Sequence, residues 1–451
     1  MDETETERQE LIAAELHRVD GDHPAIGERT RKHSKMASDP FRFLRGSAQL
    51  FYKDLYTGVL SLPAPFIEAV KLTGIMGDCH LANFGFVTEK GSGGGLIVFA
   101  PNDFDDACLG HAGWDLCRYV VSLFLAVDYA HGILDGRYRS EEIEDSSGLV
   151  APNEAESRDA AAAFVASYRD ALQAIIDEPQ RRRTVLSDFP KGHILCKALK
   201  KARKRAIGGK NFETKSKLGK AVEVDGGQMR FRDRPDRFRR LDAASEAEIR
   251  KAFRPYVDDE IIDLVERIGQ GTGSVNVERY YLLVGPKGAS TVAELPMCHL
   301  VELKQQRHAA PLAFFGDLDP RNSMEPAHLT VDLQRLMQRE PDLLLDDVTW
   351  KGSQWLVRSR HHASVSLDPE EICLHDEKPG KRLKQYAEAC GEALAYAHSR
   401  IDHRSTRFEA AHVMAIDEAG EALIESAEAY AHRVIDDWSI LRSMRDEDQA
   451  A

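Results

Sequence analysis

The sequence predicts an α+β chain in which a small β-rich unit sits between two helical stretches. Three observations carry this. Apolar residues recur at helical spacing up to Ile176 and again from Lys381, β-type runs cluster between Arg279 and Lys304, and 451 residues with 43% hydrophobic content suffice for two to four domains or lobes. We therefore expect a mostly helical lobe with one hairpin over 1–255, a small β-rich lobe over 256–365, and C-terminal helices over 366–451 that pack back on the helical lobe.

Taken in order, Asp2 to about Tyr56 reads as helices, with Leu11 and Leu16 on one apolar face and Phe41, Phe43, Leu44 and Phe51 on a second. Pro63 and Pro65 close that segment. The runs Phe84 to Val87 and Leu96 to Phe99 flank Gly91-Ser92-Gly93-Gly94-Gly95, a turn signal that makes them a hairpin. Helical periodicity spans Asp115 to Ala130 and Glu154 to Ile176. Lys197, Lys200, Lys201, Arg203, Lys204 and Arg205 crowd one helix ending at Gly208-Gly209, a pattern that serves as a solvated face more often than as a phosphate site. Past Pro255, a glycine-rich segment from Gly269 to Gly273 precedes the β-type runs Arg279 to Val284 and His299 to Lys304, and a helix follows from Thr330 to Arg339. From Lys381 to Arg442 the chain is helical again, with Leu383, Tyr386, Cys390, Leu394 and Ala397 on one stripe.

Acids outnumber bases 74 to 60, a formal charge of -14 that argues against a nucleic-acid coat or a binder of anionic membranes. The longest mainly apolar stretch, Tyr119 to Val127, is about half of the roughly 20 residues a spanning helix needs. The acidic opening from Asp2 to Glu10 lacks the basic and apolar regions of a secretory signal, so the expected compartment is the cytoplasm. Seven dispersed cysteines, never spaced C-x-x-C, fit reduced thiols better than disulfides or a zinc site.

The chemistry concentrates around the hairpin. Gly77-Asp78-Cys79-His80-Leu81-Ala82-Asn83 sets a carboxylate five residues before a carboxamide. In phosphotransfer sites that spacing lets one loop do two jobs: Asp78 accepts or orients the proton of the attacking hydroxyl, while Asn83 turns its carbonyl oxygen to Mg²⁺. His80 reads as a hydrogen-bonder within the loop, because the spacing already assigns the proton to Asp78. The second strand delivers Asn102-Asp103-Phe104-Asp105-Asp106 to the same edge, which makes Asp103 a second metal-ligand acid with Asp105 beside it. Asp115, in Trp114-Asp115-Leu116 at the start of an apolar helix, can accept backbone N–H bonds and brace the loop. Arg45, between apolar residues and Gly46, suits either an anion contact or an ion pair with a core acid. His361-His362, His398 and His403 lack zinc-site spacing.

The order D-x-H-x-x-N, hairpin, D-F-x-x-A, D-L resembles the catalytic core of the protein-kinase-like superfamily, in its branch of aminoglycoside and choline phosphotransferases. More closely, R-G-S-A at Arg45 to Ala48, G-D-C-H-L-A-N-F-G at Gly77 to Gly85, N-D-F-D-D at Asn102 to Asp106 and W-D-L-C-R at Trp114 to Arg118 are similar to a bacterial family catalogued as domain of unknown function 2252. That resemblance covers about Arg29 to Asp402 and implies a kinase-like two-lobed fold. A kinase also needs a glycine lid and a lysine for the nucleotide phosphates, and nothing ahead of Asp78 supplies them. Downstream, Gly271, Gly273 and Ser274, then Lys304 at the end of Leu300-Val301-Glu302-Leu303-Lys304, look like that loop and lysine in permuted lobe order. Asn276 stands where a third glycine would be, and the partner of Lys304 on the following helix stays open among Asp332, Gln334 and Gln338.

The expected function is an ATP- and Mg²⁺-dependent phosphotransferase acting on a small-molecule or protein hydroxyl, with Asp78, Asn83 and Asp103 catalytic and Gly271, Gly273, Ser274 and Lys304 on the nucleotide. The alternatives are AMP transfer, a nucleotide-binding pseudokinase acting by interaction, and last a metallophosphoesterase, since G-D-x-H lacks that class's other metal motifs. Neither nucleic acid nor membrane is expected as a partner.

Overall fold

The structure is a computed structural model that describes residues 4–21, 31–68, 71–91, 94–268 and 277–450. Its first helix, Glu5–Asp20, opens with a capping box between Thr4 and Glu7 and ends at left-handed Gly21. Three short helices follow, Arg31–Met36, Pro40–Gly46 and Ala48–Thr57, the second capped by Asp39 accepting the Arg42 N–H. Then come strands β1 (Thr73–Ile75), β2 (Phe84–Thr88), β3 (Ile97–Pro101) and β4 (Cys108–Gly110). β2 and β3 form the expected hairpin with Phe84 opposite Pro101, and β1 pairs with β4. Ser92 and Gly93 of its turn lie outside the described residues.

Helix Ala112–Leu134 runs through the core of this lobe. By length and composition it is apolar enough to cross a membrane, yet 83% of its most apolar stretch is buried inside the fold, as in a core helix. Helix Glu154–Asp177 packs on it and, more extensively, on helix Pro379–Ser399. They approach closely at Gly391, where a Cβ would stand 2.3 Å from the Phe164 carbonyl. The two ends of the chain meet through buried Arg8, whose Nη1 lies 2.6 Å from Asp54 and whose Nε donates to Asp437 at 2.8 Å, joining the first helix to the long C-terminal helix Arg407–Ala450.

The small lobe begins with the hairpin of β5 (Val222–Asp225) and β6 (Gln228–Phe231). Strands β7 (Phe238–Arg239), β8 (Glu260–Arg267), β9 (Arg279–Gly285), β10 (His299–Gln306), β11 (Leu345–Trp350) and β12 (Ser353–Ser359) then form one antiparallel sheet in the order β11-β12-β10-β9-β8-β7. β13 (Val365–Ser366) returns the chain to the first lobe by pairing with β2. Both faces of the sheet are covered, so β9 is buried along its whole length and reads as a continuous apolar run. Tyr280, Leu282 and Val284 face Phe253 and Ile249 of helix Ala243–Phe253, while Tyr281 and Leu283 face Met229 and Phe231.

Several expected bounds shift. The sheet takes β7 from ahead of the expected 255/256 limit, because helix Ala243–Phe253 belongs to the sheet's own core. The sequence pattern expects only β9 and β10 of its six strands. The helix expected from Thr330 to Arg339 runs instead as Pro326–Met337, since proline suits a first turn and Gln338 is extended, so Gln338 is not on that helix. The basic helix is Ile194–Arg205 and stops short of Gly208.

Candidate functional site

The loop from Gly77 to Asn83 has its backbone tied to buried side chains. The Met76 and Gly77 N–H groups donate to the two oxygens of Asp115 at 2.7 and 3.1 Å, Tyr52 Oη donates to the Gly77 carbonyl at 2.6 Å, the Leu81 N–H to Ser122 Oγ at 2.9 Å, and Tyr386 Oη to the Leu81 carbonyl at 2.9 Å. Asp115 is fully buried and also meets His398 Nε2 at 3.1 Å, with Tyr168 Oη 2.9 Å from the other ring nitrogen. Saturating a buried loop's polar groups in this way fixes the direction of the side chains it carries. Gly77 has φ +73, and a Cβ there would stand 1.9 Å from the Asp106 carbonyl, so the loop and the acidic run can touch only through a glycine.

Asp78 projects from this loop. Arg118, fully buried in helix Ala112–Leu134, donates Nε to Asp78 Oδ1 at 2.9 Å and Nη2 to the Leu44 carbonyl at 2.8 Å. The other carboxylate oxygen, Oδ2, lies 3.7 Å from His80 Nε2. His80 accepts the Ala82 N–H on Nδ1 at 3.2 Å. Burial, then the charges of Arg45 and Arg118, push its pKa well below the ordinary histidine value, which leaves the ring neutral and suited to hold the loop. Asn83 is buried, donates Nδ2 to the Asp78 carbonyl at 2.9 Å and is not among the residues lining the cleft described next.

A cleft of about 430 Å³ opens in front of Asp78. Its wall brings together Asp78, Asp103, Asp105, Asp106, Arg45 and Lys304, residues from both lobes. Lys304 sits near the end of β10, buried, and its Nζ contacts Asp105 Oδ2. Burial lowers its ammonium to about 7, against the opposing charge of Asp103. The carboxylate partner of Lys304 is therefore in the acidic run, not on helix Pro326–Met337. That helix presents Thr330, which accepts from Gln306 Nε2 at 3.1 Å, and Gln334, whose Oε1 is buried and unpartnered. Asp105 keeps its second oxygen, Oδ1, buried without a partner. Asp103 Oδ1 accepts the Asp105 N–H at 3.3 Å. Asp106 Oδ1 accepts the Ala310 N–H at 2.7 Å, and burial followed by the charge of Asp78 raises its carboxyl to about 6.

Arg45 lies over the Phe41 ring at 5.9 Å with its Nε buried and unpartnered, and no carboxylate pairs with it among the described residues. Of the two sequence readings for this arginine, the core ion pair is absent. Gly271, Gly273 and Ser274 lie outside the described residues. Arg118 went unassigned in the sequence, because an arginine in an apolar helix announces a buried partner without naming it.

No curated protein and no solved structure matches the chain. The family described as "Uncharacterized protein conserved in bacteria (DUF2252)" matches residues 28–133 and 150–444, and with most of its length inside that match the chain belongs to the DUF2252 family.

Proposed function

We propose that this protein is an ATP- and Mg²⁺-dependent phosphotransferase of kinase-like architecture with permuted lobe order, acting on a hydroxyl acceptor. The observation that carries the reading is the meeting of Lys304 with Asp78 and Asp103 in one cleft, although they lie on different lobes and far apart in sequence. Strand order supports it. The glycine run falls between β8 and β9, Lys304 is on the next strand, β10, and helix Pro326–Met337 follows, as a protein kinase orders its glycine loop, phosphate-pairing lysine and helix. Gly271, Gly273 and Ser274 are the proposed roof over the phosphates.

In this reading Arg118 holds Asp78 by Oδ1 and leaves Oδ2 for the acceptor. The acceptor hydroxyl gives its proton to Asp78 as its oxygen bonds to the γ-phosphorus. The bond from that phosphorus to the bridging oxygen breaks, and ADP leaves. Lys304 pairs the α- and β-phosphates, and Arg45 offers a second cation on the cleft wall. Two oxygen donors on the cleft wall fit Mg²⁺, Asp103 and the unpartnered Oδ1 of Asp105 beside it, whereas Asn83, the third expected ligand, does not line the cleft. No group of three His, Cys, Asp or Glu side chains forms a metal cage among the described residues, whereas Mg²⁺ is held by one or two carboxylates together with substrate phosphates. Bound there, it would neutralise charge on those phosphates.

One observation favours a second reading, AMP transfer or a silent nucleotide binder: the partner of Lys304 comes from the acidic run and not from the helix. Incubation with ATP labelled at the γ- or α-phosphorus separates them. Transfer of γ-label that is lost in Asp78→Asn, with ATP binding retained, supports phosphotransfer. Transfer of α-label alone supports AMP transfer, and binding without transfer of either label supports the silent protein.

A further inference from the structure

The face of the small-lobe sheet that carries Lys304 holds more positive charge than one lysine supplies. Two residues back on β10, and so on the same face about 7 Å away, Glu302 is fully buried. Three arginines converge on its carboxylate. Arg279 Nη1 lies 3.0 Å and Arg360 Nη1 2.8 Å from Oε1, and Arg358 Nε lies 2.9 Å from Oε2. The register explains the convergence, since Arg358 is directly opposite Glu302 on β12 and Arg279 is opposite Lys304 on β9. Against burial, which pushes it up, the guanidiniums of Arg279, Arg360 and Arg358 hold Glu302 well below the usual carboxylate range.

One carboxylate therefore fixes three cations, and Asp103 is the further acid whose charge reaches Arg358. Arg358 gives only Nε to Glu302, and its side chain is 19% exposed. Arg279 is nine-tenths buried with Nε unpartnered. Lys217 adds a further cation. It reaches solvent, yet the protein around it and the charges of Arg360, Arg205 and Lys220 bring its ammonium down to about 8. The donors left over on Arg279 and Arg358, held in place by Glu302, make a preorganised oxyanion site, because planar N–H pairs match phosphate oxygens and little side-chain freedom is left to lose.

We infer that Arg279, Arg358 and Arg360, positioned by Glu302, form a phosphate-binding bay beside Lys304 that takes a polyphosphate chain or a second phosphorylated ligand. The bay goes beyond the phosphotransferase reading, because its charge does not depend on a nucleotide. Its ligand is an oxyanion of either source, and the two are told apart by whether ATP shares the site.

The test is calorimetric titration of the full-length protein with sodium tripolyphosphate, ATP and adenosine at fixed ionic strength. Wild-type protein is expected to bind tripolyphosphate with an affinity that falls as salt rises, and Arg358→Ala to weaken it roughly 10-fold or more, the worth of a charge-assisted pair. Arg360→Ala is the second variant should the first not fold, and circular dichroism melting verifies each. If ATP weakens in parallel, the bay holds the nucleotide's own phosphates. If tripolyphosphate weakens while ATP does not, it holds a separate phosphorylated ligand. Tripolyphosphate that fails to bind wild type, or binds both variants as tightly, overturns the bay. Loss of label transfer from ATP with tripolyphosphate binding intact would instead remove the phosphotransferase reading and leave the bay standing.

Discussion

Asp115 and Asp103 show how different two carboxylates in one site can be. Asp115 is fully buried and accepts two backbone N–H groups and a histidine, so its role is mechanical. Asp115→Ala leaves the Met76 and Gly77 N–H groups buried without acceptors, and we expect a loss of roughly 2–4 kcal/mol, read by urea unfolding. An unchanged midpoint would remove the bracing role. Asp103 lines the cleft and makes one weak backbone contact. Asp103→Ala should keep the fold and lose the Mg²⁺-dependent part of ATP affinity, so a magnesium titration indistinguishable from wild type would show that Asp103 binds no metal. At this scale much of the site is legible in the sequence. Asp78, Asp103, Asp105 and Lys304 share a cleft, and the spacing of Asp115 indicates an acceptor of loop N–H groups. What the sequence hides is pairing. Three acids within four positions cannot be ranked as partners of a lysine on another lobe, and the Arg118 contact to Asp78 crosses from a core helix to a loop.

Among elements, helices announce themselves and polar strands do not. The helices Glu154–Asp177 and Pro379–Ser399 have long apolar stripes, whereas β11, Leu-Asp-Asp-Val-Thr-Trp, and the hairpin of β5 and β6 carry charges at positions a buried strand would fill with apolar groups. They escape notice because edge and hairpin strands are half wet. The segment that joins the lobes carries its own pH dependence. His362 is buried, both ring nitrogens lack partners, its ring meets Phe212 edge-on at 5.3 Å, and its carbonyl accepts the Lys217 N–H at 3.2 Å. Burial, then the charges of His299 and His361, lowers its pKa to about 4, below the unfolded value of about 6.5. Between those values the unfolded chain binds the extra proton, so this stability is present above about 6.5 and lost as pH falls toward 4. His362→Phe should therefore raise the melting temperature relative to wild type more at pH 5 than at pH 8. A constant difference across that range would assign the effect to packing alone.

Across the whole molecule, the order of parts along the chain differs from their order in space. The Asp78 loop comes first and the strand of Lys304 much later, yet β13 pairs with β2 and the chain's two ends are clamped by Arg8, so the late lobe returns to the early one. The family to which the chain belongs spans both parts, 28–133 and 150–444, which fits one site built from the two. In the proposed function Lys304 and Asp78 serve a single nucleotide site. The most direct measurement uses an acyl-phosphate derivative of ATP, which acylates a lysine amine lying beside bound phosphates, followed by peptide mass spectrometry. With an ammonium lowered to about 7, Lys304 holds a reactive neutral fraction near neutral pH. The account predicts acylation at Lys304, suppressed by excess ATP with Mg²⁺ and retained in Asp78→Asn. Acylation confined to other lysines, or labelling of Lys304 that ATP does not reduce, would contradict it.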